Sequence, residues 1–261
     1  MLEPHSSVSL GRDFARALDP VLLAKDCGIE PDPIQADLLT TQARKVLLCC
    51  TRQWGKSTIA ALIALHECLH RSPAMVILVS PSQPQSTELF KKLHNAWSRL
   101  PGAPLAHQES LTRMQLANGS RIVSLPGSER TTRGFSACTL LIMDEAARVP
   151  EELLAAVRPT LAATGGRFFA LSTPAGKRGW FYDNWTKGAG WHKVMVKADE
   201  CPRIKPEFLA EELEQHGPMI YSQEYMCEFI DPATSVFATE LIQAAMVDDF
   251  EPFLTSSVVP V

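Results

Sequence analysis

Nowhere does this sequence hold the roughly 18 to 20 uninterrupted apolar residues that a membrane-spanning helix requires. Its first residues, with Glu3, His5 and Arg12 among polar neighbours, also lack the apolar core of a secretory signal. The expectation is a soluble, intracellular protein with no membrane partner. CxxC pairs are missing as well. The seven cysteines are an odd number and scattered, which argues against a disulfide framework or a zinc knuckle. Cys49 and Cys50 sit in an apolar run, where neighbouring side chains point to opposite faces of a strand, so they read as small buried hydrophobes. Internal repeats and low-complexity tracts are absent too, which leaves an ordinary globular organisation.

What is present bounds that organisation further. A chain of 261 residues with 46% hydrophobic content can bury one large core but strains to supply two. One main domain with a minor appendage is expected. The net charge of -4 conceals an uneven distribution: residues 1–198 carry 23 Lys and Arg against 16 Asp and Glu, whereas residues 199–261 carry 2 against 13. A basic body can meet phosphates, and the acidic end reads either as a solvated helical face or as a docking surface for a basic partner.

Apolar runs of strand length alternate with helix-like segments, the pattern of a mostly parallel α/β sheet covered on both faces. Val46–Cys50, Met75–Ser80, Thr139–Met143 and Phe168–Ser172 are the expected central strands, and residues 56–71, 83–99, 150–161 and 205–216 the expected helices. Leu140, Leu141, Ile142 and Met143 are apolar without alternation, as in a strand buried on both faces. The Asn118-Gly119 dipeptide marks a tight turn between Met114–Leu116 and Ile122–Leu125, an inserted antiparallel hairpin. The first thirty residues, with Pro4 and Pro20 among them and Pro31 and Pro33 just after, read as an irregular N-terminal arm. The main domain is expected over residues 31–232, and residues 233–261 are too few for another.

The chemistry begins at Thr51-Arg52-Gln53-Trp54-Gly55-Lys56-Ser57-Thr58, between a buried strand and a helix. A phosphate-binding loop needs that context: backbone N–H groups and a helix N-terminus face the anion, and Gly55 lets the backbone approach. Lys56 is placed to reach the β- and γ-phosphates, and Ser57 to put its hydroxyl on Mg²⁺. Cys50, however, stands where the usual GxxxxGK[ST] pattern has its first glycine. A second acidic element lies about ninety residues downstream, where the Leu140–Met143 strand ends in Asp144-Glu145. Ligands of open parallel sheets gather at the carboxyl ends of strands, so this pair is expected beside the loop, with Asp144 in the Mg²⁺ shell. Glu145 is then the general base for an attacking water.

Other residues fit the same picture with plainer readings beside them. Gln35, upstream in Asp32-Pro33-Ile34-Gln35, has an amide that can pair with both edges of adenine, or is a surface glutamine. Ser172-Thr173-Pro174 follows a strand and either brings the Thr173 hydroxyl near the γ-phosphate or simply turns the chain. Arg130 and Arg133 lie in a polar loop before the Asp144 strand, where an arginine is more often solvated than catalytic.

Together these residues resemble the large terminase family of bacteriophages, over roughly residues 31–232. The resemblance rests on Arg52-Gln53-Trp54-Gly55-Lys56-Ser57, an arginine-bearing phosphate loop without its first glycine, and on Leu141-Ile142-Met143-Asp144-Glu145-Ala146. Ser172-Thr173-Pro174 as a coupling motif and Ser222-Gln223-Glu224-Tyr225-Met226-Cys227-Glu228-Phe229 support it. It implies a three-layer P-loop NTPase of the additional-strand, catalytic-glutamate class. Such a motor hydrolyses ATP with Mg²⁺ to drive double-stranded viral DNA into a procapsid in the host cytoplasm. The implied assembly is a homo-oligomeric ring, monomeric in isolation, working with a portal protein and a small terminase subunit. Arg52 would help couple hydrolysis to movement, and Arg133 would be a finger for a neighbouring subunit. The family's ribonuclease H-like nuclease domain should follow residue 232; Asp248-Asp249 alone cannot assemble a two-metal site, so no DNA cleavage is expected from this chain.

Rival readings differ in class. His66-Glu67-Cys68-Leu69-His70 matches H-E-x-x-H, which on a helix can present two imidazoles to zinc, but here it falls on the helix leaving the phosphate loop and no third ligand is evident. A non-catalytic nucleotide-gated scaffold would keep the loop for assembly alone, and Glu145 argues against it. A helicase-like or DNA-remodelling P-loop ATPase is the runner-up, though such enzymes usually carry a second motor lobe for which there is no room.

Overall fold

The computed structural model describes residues 10–126, 134–231 and 245. Its spine is an eight-stranded sheet built from β1 (Lys45–Cys50), β2 (Met75–Ser80), β3 (Ala106–Glu109), β4 (Arg113–Leu116), β5 (Arg121–Pro126), β6 (Leu140–Asp144), β7 (Arg167–Ser172) and β8 (His192–Val196). The spatial order is β3-β4-β5-β2-β6-β7-β1-β8. Every pairing is parallel except the two made by β4, which runs against β3 and β5. The expected hairpin is β4–β5: at its turn Leu116 donates to the Ser120 carbonyl at 2.9 Å and Gly119 donates back to Leu116 at 3.0 Å.

Side-chain alternation along the buried strands splits the core into two layers. Val46, Leu48 and Cys50 of β1, Val76 and Leu78 of β2, and Leu140 and Ile142 of β6 face one side. Leu47, Cys49, Ile77, Val79, Leu141 and Met143 face the other. Both faces are therefore apolar, which is why these strands read as unbroken hydrophobic runs. The first layer is covered by α2 (Pro20–Asp26), α3 (Pro33–Thr40), α4 (Lys56–His70) and α5 (Gln83–Arg99). The second is covered by α6 (Glu151–Val157) and α7 (Gly179–Thr186). All seven cysteines are free and buried, Cys49 and Cys50 in opposite layers.

The N-terminal segment differs from the irregular arm expected over residues 1–30. Leu10–Leu18 forms α1, and α2 follows with Asp19 as N-cap, its carboxylate accepting from the Val21 N–H at 2.9 Å. Leu23, Ala24 and Cys27 are fully buried. Proline density is no sign of irregularity here: Pro20 and Pro33 each open a helix, a position where the missing N–H costs nothing. The expected helix over 205–216 also continues further. In α8 (Pro206–Glu224) the chain kinks at Gly217, φ 74°, before Pro218 and then resumes helix to Glu224. A Gly-Pro pair reads as a stop because it removes a helical hydrogen bond; here packing of Tyr225 against Ala198 and Leu209 supports the second half. Three elements carried no clear local signal: β3, β8 and α7.

Candidate active site

The sheet order creates a crevice. After β1 the chain crosses two strand positions to β2, and β7 later fills the place between β1 and β6. The carboxyl ends of β1, β6 and β7 thus open on one another, the position where open α/β sheets bind ligands.

β1 delivers residues 51–55. Gly55 takes φ 98° at the N-cap of α4, and a Cβ there would lie 3.2 Å from the Gln35 amide nitrogen. The loop is tied from three directions. The Thr51 N–H donates to Val196 O of β8 at 2.9 Å. The carbonyl of buried Trp54 accepts from Gln35 Nε2 at 2.8 Å and from Arg203 Nη2 at 2.5 Å. Arg52 Nε donates to Glu224 Oε2 at 2.6 Å. Thr58 begins the ladder of α4, its N–H donating to Gly55 O at 3.0 Å, while Gln53 holds a positive φ of 62°.

β6 delivers Asp144 and Glu145 to the same place. Ser57 Oγ donates to Asp144 Oδ2 at 2.8 Å, and Lys56 Nζ lies 3.0 Å from Glu145 Oε1. Glu145 adopts a left-handed backbone, φ 51° and ψ 42°, a conformation that non-glycine residues adopt mainly where surroundings impose it. Burial opposes the charge on Lys56, yet Glu145 and Asp144 hold its ammonium above the ordinary value. Burial pushes the Asp144 carboxyl up, with Lys56 and the Ser57 hydroxyl pulling the other way.

A 3-10 turn at Ala146–Arg148 follows, its Ala147 N–H donating to Ser172 Oγ at 3.2 Å. Arg148 Nη1 donates to Glu145 Oε2 at 3.0 Å and to Thr173 Oγ1 at 2.9 Å, and its Nη2 to Glu224 Oε1 at 3.3 Å. Burial would raise the Glu224 carboxyl, but the hydrogen bond and charge of Arg52, with Arg148 behind, hold it below the ordinary carboxylate range.

Most of the residues picked from sequence are therefore brought together: Arg52, Gly55, Lys56, Ser57, Asp144, Glu145 and Thr173 share the crevice. Gln35 touches the loop. Its Oε1 accepts from the Asp32 N–H at 3.1 Å and its Nε2 serves the Trp54 carbonyl, so both edges of the amide are engaged by backbone. Arg130 and Arg133 lie outside the described residues. Three further participants carry little local signal in the sequence. Arg148 was signalled only by its place three residues after Glu145. Glu224 lies in the Ser222–Phe229 segment, whose sequence alone assigns it no partner. Arg203 reaches Trp54 across 149 residues and left no local trace.

The H-E-x-x-H segment lies at the C-terminal end of α4, with Glu67 and Cys68 buried. His66 Nε2 lies 3.1 Å from the Arg16 carbonyl oxygen, Glu67 is 2% exposed and faces Arg71 at 3.8 Å, and no metal-holding group of three His, Cys, Asp or Glu occurs among the described residues. No helix among them is long and apolar enough to cross a membrane.

A phosphate loop after β1, an acidic pair after β6 and an extra strand between those two define a P-loop NTPase fold of the additional-strand, catalytic-glutamate class. The chain belongs to the family described as terminase large subunit, T4likevirus-type, N-terminal, which matches residues 48–244. The terminase large subunit of Thermus virus P23-45 is 27% identical over 248 residues, covering 81% of this chain and 51% of that protein. The chain thus spans about half the length of the curated relatives it matches. The large terminase ATPase domain of Thermus phage P74-26 superposes with a TM-score of 0.70 at 21% identity, over 79% of this chain and 97% of that one. A large terminase from a thermophilic bacteriophage, solved in complex with ATP-gamma-S, has a TM-score of 0.59 at 11% identity, over 76% of this chain and 52% of that one.

Proposed function

We propose that this chain is the ATP-hydrolysing motor part of a terminase large subunit and that it drives double-stranded DNA into a procapsid. The observation that carries the reading is the convergence of Lys56 on Glu145 at 3.0 Å and of Ser57 on Asp144 at 2.8 Å, at the head of α4. Separate segments 87 residues apart contribute one cation, one hydroxyl and two carboxylates at a helix N-terminus. A triphosphate and a hard divalent ion suit this set.

Ser57 Oγ and Asp144 are hard oxygen donors, and Mg²⁺ takes few protein ligands beside waters and phosphate oxygens, so these two residues would hold it. When bound, Mg²⁺ neutralises charge on the phosphate oxygens. The chain's own groups do the remaining work. The loop N–H groups and Lys56 bind the β- and γ-phosphates of ATP. Lys56 must leave Glu145 to do so, and its departure frees Oε1 for the attacking water. Glu145 accepts that water's proton as the new oxygen–phosphorus bond forms and the bond to the β-phosphate oxygen breaks, giving ADP and phosphate. Arg52, gripping Glu224 at the end of α8, is placed to pass the loop's state to that helix. Arg133 is the finger for a neighbouring subunit in a ring, and the portal protein and small terminase subunit are the partners of such a ring.

The test is phosphate release with ATP and Mg²⁺. Lys56→Ala is expected to abolish turnover and weaken triphosphate binding. Glu145→Gln is expected to bind normally and lose at least about 10²-fold in turnover. Near-normal hydrolysis in either variant would sink the assignment.

A further inference from the structure

Arg148 belongs to none of the recognised motifs, yet its guanidinium joins three elements of the crevice. Nη1 reaches Glu145 Oε2 at 3.0 Å and Thr173 Oγ1 at 2.9 Å, while Nη2 reaches Glu224 Oε1 at 3.3 Å. The side chain is 33% exposed. Its carboxylate partners Glu145 and Glu224 are 21% and 13% exposed, so the cluster is partly buried and contributes to the fold as well.

Its geometric position is more informative. The Glu145 carboxylate is shared between two cations, with Lys56 on Oε1 and Arg148 on Oε2. Lys56 is committed to the phosphates once nucleotide arrives, and Glu145 stands on a left-handed residue at the end of β6. With Lys56 gone, Arg148 is the side chain among the described residues that still restrains the carboxylate. Arginine suits the task because its planar fork can serve acceptors on different elements at fixed angles, which a lysine ammonium on a flexible stem does less well. The same fork binds Thr173 after β7 and Glu224 at the end of α8, so a change in the angle of Glu145 is felt at both.

We infer that Arg148 is the positioning residue that keeps Glu145 aimed at the attacking water and links that aim to the Ser172-Thr173-Pro174 turn and to α8. The inference rests on the proposed ATP hydrolysis, with Glu145 as base. Arg148 acts through Glu145 and needs no contact with nucleotide. Its loss should therefore lower kcat and leave binding alone.

The experiment uses the full chain with ATP and Mg²⁺, in steady state and in single turnover with protein in excess, together with titration of a fluorescent ATP analogue. Arg148→Ala is expected to lower kcat by roughly 10- to 100-fold, the scale of a misplaced catalytic group. KM and analogue affinity should stay within about threefold of the parent chain. Arg148→Lys should recover part of the rate by restoring the contact to Glu145. In a Glu145→Gln background, adding Arg148→Ala should cost nothing further, because the group it positions is already lost. If Arg148→Ala does not fold, Arg148→Lys and Arg148→Gln make the same comparison. A kcat equal to the parent's, a change confined to KM, or losses that multiply in the double variant would each overturn the inference. Should Glu145→Gln itself turn over normally, the proposed base falls; should it stall while every Arg148 variant is normal, only the role of Arg148 falls.

Discussion

Gln35 shows how one side chain can serve the fold at a position where the sequence points to a ligand. Its position upstream of the loop pointed to adenine, but in the folded chain it completes a capping box with Asp32 at the start of α3 and holds the Trp54 carbonyl. We propose that an amide bound to backbone at both ends acts mainly by positioning the loop. Gln35→Ala is accordingly expected to weaken ATP binding and to cost about 2 kcal/mol of stability, since its bonds to the Trp54 carbonyl and from the Asp32 N–H are both lost while Arg203 still serves the Trp54 carbonyl. The preference for ATP over GTP should stay unchanged in a competition titration. Collapse of that preference would restore the base-reading role.

At the scale of elements, the N-terminal helices are fastened by charge as well as by apolar contact. Arg16, 3% exposed, donates to Asp26 Oδ2 at 2.6 Å, to Asp13 Oδ1 at 3.1 Å and to the Pro101 carbonyl at 2.9 Å, and Arg12 also pairs with Asp26. The hydrogen bond from Arg12 holds the Asp26 carboxyl below its ordinary value of 3.8, against the effect of burial and with Arg16 adding to the shift. Removing the carboxylate leaves a buried guanidinium undercompensated. Asp26→Ala should therefore destabilise the chain by about 3 kcal/mol at neutral pH, the low end for a broken buried pair, because Asp13 and Pro101 remain. The pH dependence follows from the sign of the shift. A carboxylate whose folded pKa is depressed contributes fully above its unfolded value and loses that contribution as pH falls through the folded one. The gap between parent and Asp26→Ala in denaturant melts should be constant from pH 5 to 7 and narrow below about 3.8. A gap that widened on acidification would contradict the assignment.

For the whole molecule, the crevice holds Lys56 and Arg148 beside Glu145, and the proposed ring would add a further cation opposite the γ-phosphate. An arginine supplied by a neighbour contributes roughly 10³- to 10⁵-fold in related phosphoryl transfers. On the proposal that Arg133 is that group, turnover per subunit should rise with protein concentration, and Arg133→Ala should bind nucleotide yet hydrolyse it poorly. Mixing Arg133→Ala with Glu145→Gln should restore some hydrolysis, because the first keeps an intact site and can borrow the second's finger. A mixture that co-assembles and stays inactive would refute it.

The sequence by itself determined the elements whose signals are local: the doubly buried strands β1, β2, β6 and β7, the helices α4 and α5, the β4–β5 turn, the loop around Lys56 and the pair Asp144-Glu145. These are legible because apolar runs, caps and a strand-to-helix phosphate loop are written within a few residues of one another. Only the tertiary structure decided that Gln35 and Arg203 share one carbonyl and that Glu224 meets both Arg52 and Arg148. Those contacts join residues 19, 149, 172 and 76 positions apart. The physical reason is that side-chain pairing at such distances depends on strand order and on the resumption of α8 beyond Gly217. No local propensity encodes either: strand order follows from how the two faces of the sheet are buried, and the second half of α8 from the packing of Tyr225 against Ala198 and Leu209.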